Sequence, residues 1–249
     1  NVIVGSGSNN AVVEISNCEI TASYKDGVVI SEGSTVKNFV ANNIFTNAAY
    51  PISMNIADAS ALDNGNQFSN NGKEFIRVTA DNIVTKPITL KNLNESFLLS
   101  GVITSANAFT INAGSRVYMD NDAEVVIDGV EGAGYFSAVG TASQPITISA
   151  IYNGTGVWNS IKFRSSNSNN NHIEYCTISG GGMTNQGWEG MVSVVNDNGG
   201  SSNIIIRHSS IMNSAATGIY IQSANSEYNS DITSSNTFTN CAKGDIHFE

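Results

Sequence analysis

The chain has 249 residues, a formal net charge of −10 and only 13% charged residues. With 11 basic residues it lacks the clustered cations that nucleic acids and anionic membrane surfaces require, so neither is expected as a partner. No apolar run approaches the ~20 residues of a membrane-spanning helix, and no secretion signal is visible. A hydrophobic share of 41% allows a buried core, and many Asn, Ser, Thr and Gly residues favour short strands joined by turns.

A degenerate repeat of roughly 25 residues recurs along the chain. Six apolar residues serve as anchors: Ile20, Phe45, Phe68, Ile178, Ile211 and Phe238. Most anchors are followed by further apolar residues about 8 and 10 positions later, as Val28 and Ile30 follow Ile20. Each repeat therefore predicts three short strands whose alternate residues point inward. We expect all six anchors to point inward at equivalent positions of parallel rungs.

Asn follows four of the anchors by two positions, at Asn47, Asn70, Asn213 and Asn240. Asn tolerates the left-handed backbone conformation that tight turns require, and stacked Asn side chains can hydrogen-bond to one another along a solenoid. A single rung cannot bury enough surface to fold alone, so the rungs must stack. The pattern predicts an all-β fold, a right-handed parallel β-helix.

A longer repeat divides the chain into two copies. The segment from Phe68 to Val78 matches the segment from Phe238 to Phe248, in apolar residues and in a shared Lys. We therefore interpret residues 1–82 as the C-terminal rungs of a first copy and residues 83–249 as a second copy. The two are expected to stack as one elongated solenoid, with the polar stretch around Lys86 as the junction.

Several strand motifs of the second copy resemble those of a known family. They are Ser96-Phe-Leu-Leu-Ser-Gly101, Phe109-Thr-Ile-Asn-Ala-Gly114, Val139-Gly-Thr-Ala-Ser-Gln-Pro-Ile-Thr-Ile148, Trp158-Asn-Ser-Ile-Lys-Phe163, His172-Ile-Glu-Tyr175 and Ile178-Ser-Gly-Gly181. In this order they resemble the β-helix modules of surface proteins from Bacteroidetes-type bacteria, within the pectin lyase-like superfamily. The resemblance implies carbohydrate as the ligand class and a secreted or lipid-anchored location, although no anchor motif is present.

The catalytic motifs of that superfamily are missing from the sequence. Its lyases cluster carboxylates around calcium, and its hydrolases use an Asp-Asp pair, a Gly-His-Gly segment and an Arg-x-Lys strand. The chain has neither an Asp-Asp pair nor Gly-His-Gly, and Lys162-Phe163-Arg164 has the last motif's charges in reverse order. The segment Asp120-Asn121-Asp122 offers oxygen ligands for calcium but is interpreted as a polar turn. We assign no catalytic residue, no metal site and no cofactor.

One column of polar side chains is the strongest candidate for ligand binding. Lys162, Ser193, Tyr220 and His247 fall between the inward residues of successive strands, so alternation points them outward, and Arg164 lies in the column beside them. The only long insertion among the well-aligned rungs, from Gly180 to Gly190, should overhang this face and supply an aromatic surface. The candidate ligand-binding residues are Lys162, Arg164, Trp188, Glu189, Tyr220 and His247.

Other polar and aromatic residues are interpreted as structural. Glu174 and Arg207 should stack on adjacent rungs as a surface ion pair. Trp158 should pack rather than bind, and His208 should be a surface residue.

These observations favour a non-catalytic module, extracellular or on the outer cell surface, that binds a polysaccharide or cell-surface glycan. A polysaccharide lyase or glycoside hydrolase of the same superfamily, and a structural adhesin stalk, are the alternatives.

Overall fold

Short strands and turns make up nearly all of the chain that the structure describes. The structure is a computed structural model and describes residues 2–5, 11–21, 25–31, 34–39, 44–46, 49–183, 190–197 and 199–249. Its three long sheets contain only parallel pairings, and the chain visits them in a fixed rotation, so the fold is the predicted right-handed parallel β-helix. The only helix among these residues is a 3₁₀ helix, Ile56–Ala61.

The first of the three parallel sheets, called here the long sheet, has ten strands: β1 (Val2–Val4), β4 (Val28–Ile30), β7 (Ile52–Asn55), β9 (Phe75–Thr79), β11 (Ser96–Leu99), β14 (Arg116–Met119), β17 (Ile146–Ala150), β20 (Cys176–Ser179), β23 (Ser210–Ser214) and β26 (Thr237–Cys241). The second sheet consists of β12 (Val102–Ser105), β15 (Glu124–Asp128), β18 (Ile161–Arg164), β21 (Gly190–Val195), β24 (Thr217–Ile221) and β27 (Ile246–Phe248). The third sheet consists of β10 (Ile88–Leu90), β13 (Ala108–Ile111), β16 (Tyr135–Val139), β19 (His172–Glu174), β22 (Ser202–Arg207) and β25 (Ser226–Tyr228).

Two short sheets complete the N-terminal rungs: β2 (Val12–Ile15) with β5 (Thr35–Phe39), and β3 (Glu19–Ile20) with β6 (Ile44–Thr46) and β8 (Gln67–Ser69). From β11 onward, each rung runs from the long sheet to the second sheet, then to the third, and back to the long sheet one rung further along.

The core is a continuous column of inward side chains. Alternate residues are buried in strands such as β9, β18 and β22, whereas β11, β15, β21 and β24 are buried at every position. Aromatic rings contact one another from rung to rung within the core. The rings of Phe109 and Phe136 lie 5.4 Å apart and those of Phe136 and Phe163 lie 6.1 Å apart, both edge to face. Trp158 is fully buried and its indole Nε1 donates to the carbonyl oxygen of Ser179 at 3.0 Å, which confirms that it packs.

The predicted Asn turns are confirmed where the structure describes them. Asn70, Asn213 and Asn240 have φ angles of 56°, 56° and 54°, in the left-handed region. The amide Nδ2 of Asn240 donates to Oδ1 of Asn213 on the preceding rung at 3.2 Å, so these two Asn side chains are linked along the solenoid axis. Asn47 lies outside the described residues.

The six anchors stack in parallel register, but in two different sheets. Ile20, Phe45 and Phe68 pair along the short sheet β3–β6–β8, whereas Ile178, Ile211 and Phe238 pair along the long sheet. The expectation of one equivalent position for all six is therefore wrong. An offset of 8 residues fits any two consecutive strands of a rung, so the pattern cannot indicate which two sheets those strands join.

The rungs continue across the predicted junction between the two copies. Strand β9 pairs with β11 in the long sheet, with Phe75 beside Ser96, and Val84 bridges to Ser105 of the second sheet. The division at residue 82 stays a prediction, because strand pairing by itself does not mark a copy boundary. In the described part of the chain, no helix has the length and apolar character needed to cross a membrane.

Candidate functional site

The predicted column on the second sheet has the register that the sequence indicated. Lys162 pairs with Ser193, Ser193 with Tyr220, and Tyr220 with His247. Arg164 pairs with Val195 in the neighbouring column. Trp188 and Glu189, the two candidates on the insertion, lie outside the described residues. The alignment of the remaining candidates is thus confirmed. Whether each of them can bind a ligand depends on how far its side chain is exposed.

Most of this column is not open to solvent. Ser193 is 0% exposed and its Oγ donates to the carbonyl oxygen of Gly190, while Tyr220 is 6% exposed. Only His247, at the end of the column, is exposed, and its ring stacks on that of Tyr220 at 5.7 Å between centroids. The prediction of an exposed column is wrong for Ser193 and Tyr220, because alternation tells which side of a strand a residue faces and not what covers that side.

The cations of the second sheet are paired with carboxylates of neighbouring rungs. The Nζ atom of Lys162 lies 2.8 Å from Oε1 of Glu124, which also accepts a hydrogen bond from the Ser160 hydroxyl. Glu124 is 7% exposed, so this pair is largely shielded from water. Lys162 is therefore already neutralised and is poorly placed to bind a ligand anion.

Arg164 lies between two carboxylates. Its Nη2 is 3.3 Å from Oδ2 of Asp128, and its Nε is 3.4 Å from Oδ2 of Asp197. The other oxygen of Asp128 accepts from the backbone N–H groups of Val130 and Glu131. A buried carboxylate needs such partners, so these contacts make Arg164 a structural residue.

Sequence reasoning missed the carboxylate partners of both cations. Glu124 and Asp128 belong to β15, while Lys162 and Arg164 belong to β18 one rung later. The rung between them is longer than the average repeat, because the turns after β16 and β17 are long. A search at a fixed spacing could not align them, although the alternation of Glu124, Val126 and Asp128 was visible in the sequence.

The outer face of the long sheet is more open and carries rows of hydroxyl groups. Thr147 pairs with Thr177, and Ser149 with Ser179, on successive rungs. These residues alternate with the buried Ile148 and point outward, so two parallel hydroxyl rows run along the solenoid axis.

A groove borders this face at the turn that follows β17. It has a volume of about 530 Å³ and is lined by Tyr118, Ser149, Tyr152, Ser179 and Asn213, together with the other residues of 150–155 and Gly180. Tyr152 is 57% exposed, more than Phe248 (43%) or Tyr228 (38%). The groove therefore combines an open aromatic surface with hydroxyl and amide groups from four successive rungs.

An aromatic and cationic cluster lies on the same face toward the N-terminus. The Nζ atom of Lys73 donates to the Tyr50 hydroxyl at 3.1 Å, and both Lys73 and Arg77 lie over the Tyr50 ring, at 5.2 and 5.7 Å from its centroid. The bond to Tyr50 raises the pKa of Lys73, and Tyr152 adds to this effect. The ring of Phe75 contacts that of Tyr118 edge to face at 5.0 Å, which connects this cluster to the groove.

Two carboxylates lie near this cluster on adjacent rungs. Glu74 comes directly before Phe75, the first residue of β9, and Glu95 comes directly before Ser96, the first residue of β11. Phe75 and Ser96 pair with each other, so the two carboxylates follow the same register. Burial, and then the neighbouring charge of Glu74, raise the pKa of Glu95 to about 6, while Arg116 opposes the shift. Glu95 is therefore a carboxyl group that holds its proton in mildly acidic solution.

The remaining polar candidates have structural roles. Asp120-Asn121-Asp122 forms a turn in which Oδ2 of Asp120 accepts from the Ser100 hydroxyl at 2.8 Å, as the polar-turn interpretation predicts. Glu174 and Arg207 pair in register, but the ion pair of Arg207 is with Asp231 at 3.2 Å. Over the residues that the structure describes, no three His, Cys, Asp or Glu side chains are grouped so as to hold a metal ion.

Comparisons with protein-family models, with curated proteins and with solved structures found no match for this chain.

Proposed function

We propose that this protein is a non-catalytic β-helix module that binds a polysaccharide on the outer face of its long sheet. The observation that carries the proposal is the groove in which the exposed ring of Tyr152 adjoins Ser149, Ser179 and Asn213. Sugars are bound by aromatic surfaces that contact their C–H groups and by hydrogen-bonding groups that meet their hydroxyls. The groove supplies both kinds of group in one place.

The repeating geometry favours a long ligand over a small one. Each rung adds another set of outward polar groups about 4.8 Å further along the axis. The groove is open to solvent, so a single sugar ring gains little binding free energy there, and a chain that contacts several rungs gains more. Affinity should therefore rise with the number of sugar units.

The charges of the face favour a neutral or acidic glycan. Lys73, which is exposed, and Arg77, which is half-buried, lie over the Tyr50 ring at the N-terminal side of the groove. An extracellular or outer-surface location, and membership of the Bacteroidetes-type modules of the pectin lyase-like superfamily, are part of this proposal. They rest on the strand motifs of residues 96–181.

A glycoside hydrolase is the second candidate, and one observation favours it. Glycosidases pair a protonated carboxyl group with an ionised one, and Glu95, with its pKa raised to about 6, lies one rung from Glu74. Arg116, whose guanidinium donates to the carbonyl oxygen of Asn94, lies on the other side of Glu95. If this pair cleaves glycosidic bonds, the groove binds the substrate.

The test is binding to an array of neutral and acidic glycans, followed by analysis of released products on every glycan that binds. The proposal expects binding that strengthens with chain length and no released product. Product formation that Glu95→Gln abolishes would replace the proposal with the hydrolase. No binding to any glycan would contradict both and would favour a structural stalk.

A further inference from the structure

Two stacked rings mark the corner where the third sheet meets the long sheet. Tyr175 lies between β19 and β20, and His208 occupies the same corner one rung later, between β22 and β23. Their ring centroids are 4.9 Å apart and the planes differ by 22°. The spacing equals the distance between rungs, so the solenoid itself holds the rings in a stack.

Both residues have left-handed backbone, which is unfavourable for the bulky ring of tyrosine and is adopted more readily by histidine. Tyr175 has a φ of 49° and His208 a φ of 51°. Elsewhere in the solenoid, left-handed turns carry residues that tolerate this conformation, such as Asn213 and Asn240. A tyrosine at a position where Asn would fit more easily points to a use for its ring.

A cleft with hydroxyl-bearing walls surrounds the ring pair. Its volume is about 300 Å³, and its walls include Thr141, Thr177, Ser210, Ser235 and Thr237. All its lining residues are described, and among them there is no Asp, Glu, Lys or Arg. A neutral ligand rich in hydroxyl groups matches these walls.

Beyond the Tyr175–His208 stack, the cleft continues along Ser235 and Thr237. The backbone N–H of His208 donates to the carbonyl oxygen of Ser235, which occupies this corner on the next rung. Ser235 has a small side chain, so among the described residues the next rung places no ring at this corner. A ligand ring placed there would stack on His208 and meet the hydroxyls of Ser235 and Thr237.

We propose that this cleft binds one pyranose ring of a neutral sugar, stacked on the His208–Tyr175 pair. Thr177, Ser210 and Thr237 are outward residues of the long sheet, paired along β20, β23 and β26, so the cleft opens onto the proposed glycan face. The inference deepens the proposed function, and it rests on that function for the class of ligand. The cleft would be a second contact on the opposite margin of the sheet from Tyr152.

The test uses methyl β-D-galactopyranoside and methyl β-D-glucopyranoside as probes. Saturation-transfer NMR on the probe protons measures binding to the parent and to every variant, and the imidazole proton resonances of His208 locate the probe in the proteins that keep this residue. At least one probe should shift these resonances in a saturable titration. Tyr175→Asn and His208→Asn remove a ring and relieve the backbone, so each should weaken probe binding at least tenfold while the Tm stays level or rises. His208→Tyr, which keeps a ring, should retain binding.

Several results would overturn the inference: no saturable shift in the parent, unchanged binding in both Asn variants, or loss of binding in His208→Tyr with its Tm unchanged. Tyr228→Asn, at an exposed ring on a different edge, is the matched control and should bind the probes as the parent does. The proposed function and the cleft can fail independently of each other. If the probes shift His208 but no polysaccharide binds, the cleft stands without the glycan face. If polysaccharides bind without involving His208, the face stands and the cleft is refuted.

Discussion

The guanidinium of Arg164 lies 3.3 Å from the carboxylate of Asp128 on the preceding rung, and Asp128 is only 1% exposed. A carboxylate this deeply buried depends on its partners, because water cannot replace them. The pair therefore stabilises the outer side of the second sheet, at a position where sequence alternation alone indicated a free, ligand-binding cation.

Removing this cation should destabilise the protein. We expect Arg164→Ala to lower the free energy of unfolding by roughly 3 kcal/mol, because it leaves Asp128 buried and unpaired. Adding Asp128→Asn to that variant should recover part of the loss. Urea denaturation of the two single variants and the double variant measures the coupling. Lys86→Ala, at an exposed lysine, is the control and should change stability by less than about 0.5 kcal/mol.

Strand β22 offers a direct test of inward and outward positions. Ile206 is 0% exposed and packs in the core, whereas its neighbour Ile205 faces outward and is half-buried. Ile206→Ala should cost about 3 kcal/mol, because it leaves a cavity in the stacked core. Ile205→Ala should cost less than about 1 kcal/mol. Equal losses in denaturation experiments would contradict the assignment of the two faces.

The left-handed turn at Asn240 predicts a specific order among substitutions. Asn240→Ala should lower the free energy of unfolding by about 1 kcal/mol. A φ of 54° is unfavourable for a residue that has a Cβ atom, and alanine has no polar side chain to compensate for this cost as Asn does. Asn240→Gly should be close to neutral, since Gly adopts this conformation freely. Thermal melts of the two variants decide the matter, and an Ala variant as stable as the Gly variant would count against this account of the corner.

Glu95 should make stability depend on pH in a defined window. Its pKa is about 6 in the folded protein and about 4.5 when unfolded, so the folded state holds the proton more tightly between these values. Stability should therefore fall as pH rises from about 4.5 to about 6, by on the order of 1 kcal/mol after allowance for solvent screening. Glu95→Gln should flatten the curve in this window. A parent curve that rises there, or a Gln variant that keeps the slope, would contradict the shift.

The sequence predicts the solenoid well, because many strands carry apolar residues at alternate positions and successive rungs repeat this pattern. Residues such as Ile178 and Ile211 must be inward in any stacked arrangement, and the positive φ of Asn213 and Asn240 follows from their place after an anchor. The spacing does not indicate which sheet each anchor joins. The sequence therefore predicts one sheet for all the anchors, whereas those of the first 82 residues lie in one sheet and those nearer the C-terminus lie in another.

The candidate site was harder to predict, because exposure on the outside of a β-helix depends on turns that have no period. The register of Lys162 with Tyr220 followed from the strands, whereas the burial of Tyr220 did not. The groove beside Tyr152 depends on the turn after β17, for which the repeat gives no template. The paired Thr147-x-Ser149 and Thr177-x-Ser179 strands were the one signal in the sequence that could have indicated the long sheet.

The central claim is that a glycan binds on the long sheet, and one comparison tests it most directly. Titration calorimetry would measure the affinity of a glycan selected from the array for the parent, for Tyr152→Ala and for His247→Ala, the exposed end of the second-sheet column. We expect Tyr152→Ala to weaken binding more than tenfold, with its Tm nearly unchanged because the ring is largely exposed, and His247→Ala to bind as the parent does. Unchanged affinity in Tyr152→Ala together with loss of binding in His247→Ala would contradict the claim and return the site to the second sheet.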